Sequence, residues 1–177
     1  EAGIACLYGP GNNTHRTPYG GRNFEYYSED GFLAGEMSKH QVAAMADAGV
    51  FVVMKHFALN DSEQDRIGLG VWLNEQAARE IYLKAFQAPI EEADAGVMTA
   101  YTRWGATWSG GSYNLITNIL RNEWGCEGKI ITDNVLTTYV NGLDGILAGT
   151  SIYDAMLPYV VNILPKYEDD PVIVTAM

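Results

Sequence analysis

Charged and aromatic side chains follow four short apolar runs of this sequence, close to the point where each run ends. In chain order they are Arg22, then Lys55 and His56, then Tyr101 and Arg103, and finally Asp133. Arginine and lysine donate charge-assisted hydrogen bonds, so a carboxylate among them is expected to keep a low pKa and stay ionised. The same donors suit sugar hydroxyls, and an ionised carboxylate can act as a nucleophile. Nearby aromatic side chains could stack on a sugar ring: Tyr101, Trp104 and Trp108.

Each of these residues also has a simpler explanation. An aspartate after a strand is typical of a helix N-cap, which would account for Asp133 alone. Arg22 could pair with a nearby glutamate (Glu25 or Glu29), His56 could be a hydrogen-bonded core histidine, and Tyr101 could be a rim aromatic. Independent surface residues would not collect at the same end of successive strands, so the combination favours a shared site.

Strand-like and helix-like runs alternate along the chain. Strands are predicted at Ile4–Tyr8, Val50–Met54, Val97–Ala100, Ile130–Thr132 and Leu143–Gly149. Helices are predicted from a Ser28 cap to Ala48, from Asn74 to Ala93, from Asn114 to Trp124, and from Ile152 to Leu164. This alternation indicates parallel βαβ units, with polar residues at the carboxyl ends of the strands, as in the active site of a (β/α)₈ barrel.

The sequence therefore predicts an α/β fold with about five βα units, part of a TIM-type (β/α)₈ barrel that typically needs about 250 residues. An open doubly wound sheet is the alternative, although no GxGxxG follows the first strand. The 177 residues carry 22 acidic and 11 basic side chains, a formal charge of −11. That charge argues against a nucleic-acid partner, and no apolar run is long enough to predict a membrane span.

Metal and cofactor motifs are not apparent. The three histidines, His15, His40 and His56, lack ligand spacing with carboxylates or cysteines, and Cys6 and Cys126 are isolated. The sequence also has no P-loop and no GxSxG motif. We therefore expect neither a metal nor a cofactor.

Several long motifs, in the same order, resemble the catalytic barrel of glycoside hydrolase family 3, of the β-glucosidase and β-xylosidase type. They are GPGNNTHRTPYGGRNFEYYSED, KHFALND, NEQAAREIYLKAF, VMTAY and ILRNEWGCEGKIITDN, and the segment LDGILAG continues the similarity. The resemblance implies that Asp133 is the catalytic nucleophile. It further implies a set of substrate-binding residues: Arg22, Lys55 and His56 on sugar hydroxyls, Tyr101 beside the nucleophile, Met98 lining the pocket, and Arg66 contacting substrate or bracing its loop.

The resemblance also implies a retaining mechanism, in which one carboxylate forms a covalent glycosyl-enzyme and a second, about 5 Å away, serves as acid and then base. Two departures stand out. Asn134 replaces the tryptophan that usually follows the nucleophile, and the family's upstream aspartate and acid/base are not matched in these residues.

We accordingly expect residues 1–177 to form a single partial domain, the C-terminal portion of a family 3 barrel, without the N-terminal strands or the C-terminal α/β sandwich domain. The expected partners are a carbohydrate, a β-glucoside or a related compound, and either the missing domain of the same enzyme or a second copy. An inactive sugar-binding or structural fragment is the alternative function. Open sheet edges are the reason to expect association.

Overall fold

A four-stranded parallel sheet organises the protein, whose computed structural model describes residues 3–135 and 141–154. In chain order the strands are β1 Cys6–Gly11, β2 Phe51–Phe57, β3 Gly70–Val71, β4 Gly96–Thr99, β5 Arg103–Trp104, β6 Thr107–Trp108 and β7 Ile130–Thr132. The parallel sheet has the order β1-β2-β4-β7, and β3, β5 and β6 form a small second sheet. The order of the parallel sheet follows the chain, as expected for consecutive βα units.

Helices connect the parallel strands. They are α1 Gly31–Asp47, α2 Glu75–Ala77, α3 Lys84–Ala93 and α4 Gly142–Ala148, with π-helical segments at Ala78–Tyr82 and Asn114–Glu123 and a 3₁₀ turn at Ser109–Gly111. Within residues 3–135 and 141–154, none of the helices has the length and hydropathy that a membrane-spanning helix needs.

The helix α1 begins two residues later than a Ser28 cap predicts. The Asp30 carboxylate accepts hydrogen bonds from the N–H groups of Phe32 and Leu33, whereas the Ser28 hydroxyl accepts from the Asp30 N–H. Serine and aspartate are both good N-caps, so the sequence alone could not separate them. The predicted Asn74 cap is confirmed, because its side chain accepts from the Ala77 N–H.

The two faces of the parallel sheet have different roles. Val52, Met54 and Val97 belong to the main core, which α1, α3 and the Asn114–Glu123 helix cover. In that core the rings of Phe57 and Phe86 meet edge to face at 5.3 Å between centroids. Alternate residues lie on the other face, where Val53, Met98 and Ile131 pack together. This second face, which a closed barrel would enclose, lies beneath the candidate site.

The predicted strand Leu143–Gly149 is wrong, because the segment forms helix α4. Its buried residues Gly142, Gly145, Ile146 and Ala148 have helical spacing, Asn141 caps its start, and Gly149 ends it with φ 96°. The next strand position is instead at Ile152, which pairs in parallel with Ile131. The predicted helix Ile152–Leu164 therefore cannot begin at Ile152, and its residues after Asp154 lie outside the described part of the chain.

Candidate active site

Lys55 and His56 lie within β2, which runs to Phe57, three residues beyond the predicted end of the strand. Consecutive strand residues normally point to opposite faces, but the register of β2 against β4 shifts between Lys55 and Phe57. This irregularity lets both side chains approach the same group of residues.

Asn13 holds the backbone of this irregular segment. Its buried side chain accepts a hydrogen bond from the His56 N–H at 2.9 Å and donates one to the His56 carbonyl at 3.0 Å. The two bonds replace the ladder contacts that the irregular strand does not make at His56. The sequence did not identify Asn13 as a site residue, although it lies in the loop that begins the family motif.

Arg22 reaches the site from the loop between β1 and α1. Gly21, which precedes it, has φ 90°, and a Cβ there would lie 2.9 Å from the Cβ of Glu63. A tight turn that only glycine fits therefore directs Arg22 inward, as the Gly-Gly pair predicts. The arginine pairs with Glu25, which was the simpler explanation for it, with 2.7 Å between its Nε and the Glu25 Oε2.

That pairing does not remove Arg22 from the site. The Glu25 carboxylate also binds Lys55, with 2.8 Å between Oε1 and Nζ. Arg22 Nη1 lies 3.1 Å from His56 Nε2. Partial burial raises the pKa of Glu25, but the hydrogen bonds and charges of Lys55 and Arg22 together lower it further, so the pKa lies below its usual value.

His56 is buried and neutral. Burial, together with the positive charges of Arg22, Lys55 and Arg66, holds its pKa well below the usual range. A guanidinium can only donate, so Nε2 accepts from Arg22 and the ring proton is on Nδ1, 3.4 Å from the Tyr26 hydroxyl. His56 is thus a hydrogen-bonded core histidine and a member of the cluster at the same time.

Asp133 follows β7, as predicted, and its Oδ2 is 3.6 Å from His56 Nε2 and 4.0 Å from Arg66 Nη1. Its Oδ1 accepts a hydrogen bond from the Asn134 N–H at 2.7 Å. The expectation of a low pKa is wrong: burial raises the pKa of Asp133, and the Asn134 N–H, Arg66, Arg22 and Lys55 only partly oppose it. The helix that Asp133 would alternatively cap would begin outside the described residues.

Tyr101 and Arg66 border this carboxylate. The Tyr101 hydroxyl donates to the Asn134 carbonyl at 2.8 Å, and the Arg66 guanidinium lies over the Tyr101 ring, 4.5 Å from its centroid. Burial and the negative charge of Asp133 raise the pKa of Tyr101 to about 12. The phenol therefore stays protonated near neutral pH and can fix the backbone next to Asp133.

Met98 is almost fully buried at the strand end, in register with Lys55 on one side and Ile131 on the other. The two tryptophans that were expected to stack on a sugar instead hydrogen-bond to backbone carbonyls. Trp108 is buried and donates to the Ala100 carbonyl, and Trp104 donates to the Leu73 carbonyl and packs against the main core. Arg103 donates to the Ala106 carbonyl on an exposed turn.

One further acid belongs to the cluster and had not been identified from the sequence. Glu63 lies 3.1 Å from Arg66 Nε and 3.7 Å from Arg22 Nη1, and it accepts a hydrogen bond from Asn60. Among the described residues, no group of three or more histidine, cysteine or acidic side chains could hold a metal ion.

Fold and site together define an α/β protein with parallel strands that places Asp133 among cationic donors at the carboxyl ends of the sheet. Solved structures superpose on nearly the whole chain. β-Glucosidase 3B from Thermotoga neapolitana in complex with glycerol matches 98% of this chain and 26% of its own, with a TM-score of 0.90 and 30% identity. A family 3 β-glucosidase from Bifidobacterium adolescentis matches 96% and 25%, with a TM-score of 0.88 and 34% identity.

The sequence comparisons agree. Residues 1–144 match the model of the glycosyl hydrolase family 3 N-terminal domain, and the chain belongs to glycosyl hydrolase family 3. A β-glucosidase of Ruminococcus albus is 44% identical over 131 residues, which are 73% of this chain and 14% of the relative. An exo-α-(1→6)-L-arabinopyranosidase of Bifidobacterium breve is 40% identical over 131 residues, 73% and 17% of the two lengths. The matched residues thus span less than a fifth of the length of these two relatives in sequence. The similarity to the solved structures confirms the expected partial-barrel fold class.

Proposed function

We propose that this chain is part of a retaining exo-acting β-glycosidase that hydrolyses terminal non-reducing β-linked sugars through a covalent glycosyl-enzyme on Asp133. The observation that carries the proposal is the position of Asp133 within one cluster with His56, Arg66, Arg22 and Lys55. Family membership and relatives named as β-glucosidases support a glucoside-like substrate.

Donors for a sugar remain after the internal contacts of the cluster are made. Glu25 accepts from one of the three N–H groups of the Lys55 ammonium. The buried Nη1 of Arg66 has no hydrogen-bond partner among the described residues. We infer that the remaining Lys55 N–H groups and Arg66 Nη1 donate to ring hydroxyls, and that Arg22 and His56 contact the sugar as the hydrogen-bonded pair they form with each other. Met98 and Tyr101 would line the pocket next to the anomeric carbon.

In the proposed reaction the Asp133 carboxylate attacks the anomeric carbon as the glycosidic bond breaks, and water later releases the sugar. The positive charges of Arg66, Arg22 and Lys55 favour the ionised carboxylate that this attack requires, against the effect of burial. Neither Glu25 nor Glu63 suits the role of acid/base, because both are engaged in ion pairs and the pKa of Glu25 is lowered. We therefore assign the acid/base to another segment.

Turnover tests the proposal in the intact polypeptide that contains this chain. An Asp133→Ala variant should lose about 10³-fold or more in kcat on an aryl β-glucoside, whose good leaving group needs little acid assistance. Asp47→Asn, at the exposed end of α1, is the control and should retain full activity. Asp133→Ala at unchanged kcat would remove Asp133 from the mechanism.

Sugar binding without turnover is the second candidate for the isolated chain. The commitment of Glu25 and Glu63 to ion pairs favours it, since the described cluster then offers a nucleophile and no acid/base. An isolated chain that binds glucose yet leaves aryl β-glucosides intact would support this candidate. Robust turnover that Asp133→Ala abolishes would exclude it.

We also propose that residues 1–177 form one partial domain, the C-terminal portion of a family 3 barrel, which requires a partner. Within the described residues β1 lies at an edge of the parallel sheet, and an unpaired edge favours association. The partner would be the remainder of the same enzyme or a second copy. Light scattering of the isolated chain should show self-association, and a stably folded monodisperse monomer would contradict the proposal.

A further inference from the structure

Two glutamates join the three cations of the candidate site into one network. Glu25 holds Lys55 and Arg22, at 2.8 and 2.7 Å, through its two oxygens. Glu63 holds Arg66 at 3.1 Å and approaches Arg22 at 3.7 Å. Arg22 is therefore shared by both acids, whereas Lys55 is held by Glu25 and Arg66 by Glu63.

The charges of this network balance only when Asp133 is included. Lys55, Arg22 and Arg66 carry three positive charges, and Glu25 and Glu63 neutralise two of them. His56 adds none, because it accepts a hydrogen bond from Arg22 and is held neutral by burial. The remaining positive charge matches an ionised Asp133, so removing either glutamate would leave a surplus of cations around that carboxylate.

The contacts also keep the Arg66 guanidinium from a direct hydrogen bond to Asp133. Arg66 Nη1 is 4.0 Å from Asp133 Oδ2, longer than a hydrogen bond, although an arginine this close to a carboxylate usually forms a shorter bidentate pair. Glu63 binds the Nε of the same guanidinium, and the Tyr101 ring lies under it. A direct ion pair would place the guanidinium on the carboxylate that attacks the anomeric carbon in the proposed mechanism.

We propose that Glu25 and Glu63 are positioning residues, which orient Lys55, Arg22 and Arg66 toward a bound sugar and prevent them from pairing directly with Asp133. This inference rests on the function proposed above. It assigns to the partly buried Glu25 and Glu63 a role in substrate affinity and in the ionisation of the nucleophile.

The test is steady-state kinetics of the intact protein on an aryl β-glucoside, as a function of pH, for Glu25→Gln and Glu63→Gln. The control is Glu123→Gln, which breaks a comparable ion pair with Arg79, at 2.6 Å, on an exposed surface. Both site variants should raise KM at least about tenfold, because misplaced cations lose charge-assisted hydrogen bonds to the sugar. The control should match the unchanged protein.

The acid limb of the pH profile of kcat/KM is a second measurement, and a mere loss of packing would not shift its pH. This limb reports the ionisation of the nucleophile in the free enzyme. The groups that face Asp133 are His56, Tyr101, Arg66, Arg22 and Lys55, and the two glutamates counter the last three. Either glutamine variant should shift the limb to lower pH by about one unit, since uncompensated cations favour the carboxylate. Glu25→Asp should keep the limb in place.

Unchanged KM and an unchanged acid limb in both glutamine variants, in an active enzyme, would overturn the inference. If one variant fails to fold, the other decides. If the unchanged protein is inactive, the proposed function fails on that result, and carbon-13 NMR titration of the Asp133 carboxyl decides the positioning role. A lower pKa in Glu25→Gln would then support the inference, and an unaltered pKa would refute it.

Discussion

Asn13 offers a sharp test of how the fold positions the site, because one side chain carries both hydrogen bonds of the His56 backbone. Replacing it by alanine removes an acceptor 2.9 Å from the His56 N–H and a donor 3.0 Å from the His56 carbonyl. Asn13 is 2% exposed and His56 is equally buried, so water has little access to the freed groups.

The expected cost follows from those two bonds. Each contributes about 1 kcal/mol, and a buried group left without a partner costs about 1–3 kcal/mol. We therefore expect Asn13→Ala to destabilise β2 locally by about 2 kcal/mol or more. Because each 1.4 kcal/mol is a tenfold change, the amide of His56 should exchange with solvent about 30-fold faster.

Hydrogen exchange of peptides that cover β2 measures this effect in the intact protein without requiring global unfolding. Asn118→Ala is the matched control, since it removes an amide that donates to the neighbouring Asn114 side chain at an exposed position. The same Asn13→Ala variant should lose catalytic efficiency, because His56 and Lys55 are displaced together. An exchange rate at His56 equal to that of the Asn118→Ala control would refute the reasoning.

Three further predictions concern the site and its supports. Tyr101→Phe removes the 2.8 Å hydrogen bond to the Asn134 carbonyl and should lower kcat/KM on an aryl β-glucoside about tenfold. Tyr113→Phe, at an exposed position, is the control and should leave kcat/KM unchanged. Equal kcat/KM values in the two variants would contradict this prediction. Asp30→Ala should destabilise α1 by about 1 kcal/mol in urea unfolding while Asp30→Asn retains the cap, and an unaffected alanine variant would be inconsistent with capping. Asp133→Asn should melt at a higher temperature than the unchanged protein at pH 7. Burial raises the pKa of Asp133 in the folded state, so the charged carboxylate destabilises the fold at any pH above that pKa. The higher melting temperature of the asparagine variant should therefore disappear as the pH falls through the raised pKa toward 3.8. A difference in melting temperature that does not depend on pH would contradict this account.

Much of the parallel sheet could be predicted because its strands are apolar runs bounded by clear turn signals. The runs at Val50–Met54, Val97–Ala100 and Ile130–Thr132 all lie in or against the observed strands β2, β4 and β7. Leu143–Gly149 was wrong because a short apolar run looks alike in a buried strand and a buried helix. Only tertiary packing places Gly145 and Ile146 on the buried face of a helix.

The sequence could predict which residues belong to the candidate site but not the hydrogen bonds and ion pairs that join them. Strand-end reasoning and family resemblance brought Arg22, Lys55, His56, Arg66 and Asp133 together, and the structure places them in one cluster. Asn13 and Glu63 escaped notice because their roles depend on contacts across 43 and 41 residues of chain, to His56 and Arg22. The raised pKa of Asp133 was likewise invisible, since burial is a property of the folded chain.

Asn134 remains the most informative departure from the family pattern. Its carbonyl accepts a hydrogen bond from the Tyr101 hydroxyl, and its N–H donates one to Asp133 Oδ1. Neither bond involves the Asn134 side chain. Its Oδ1 is buried without a hydrogen-bond partner among the described residues, where the resemblance expects an aromatic ring. We expect Asn134→Trp to alter substrate preference while preserving the geometry of the nucleophile.

The most direct test of the central claim is to trap the glycosyl-enzyme. The intact protein would be incubated with an activated 2-deoxy-2-fluoro β-glucoside, digested, and the modified peptide sequenced by mass spectrometry. The mechanism proposed here predicts a single fluoroglucosyl adduct on Asp133, in the peptide that contains GKIITDN, and none in Asp133→Ala. An adduct on any other carboxylate would contradict it.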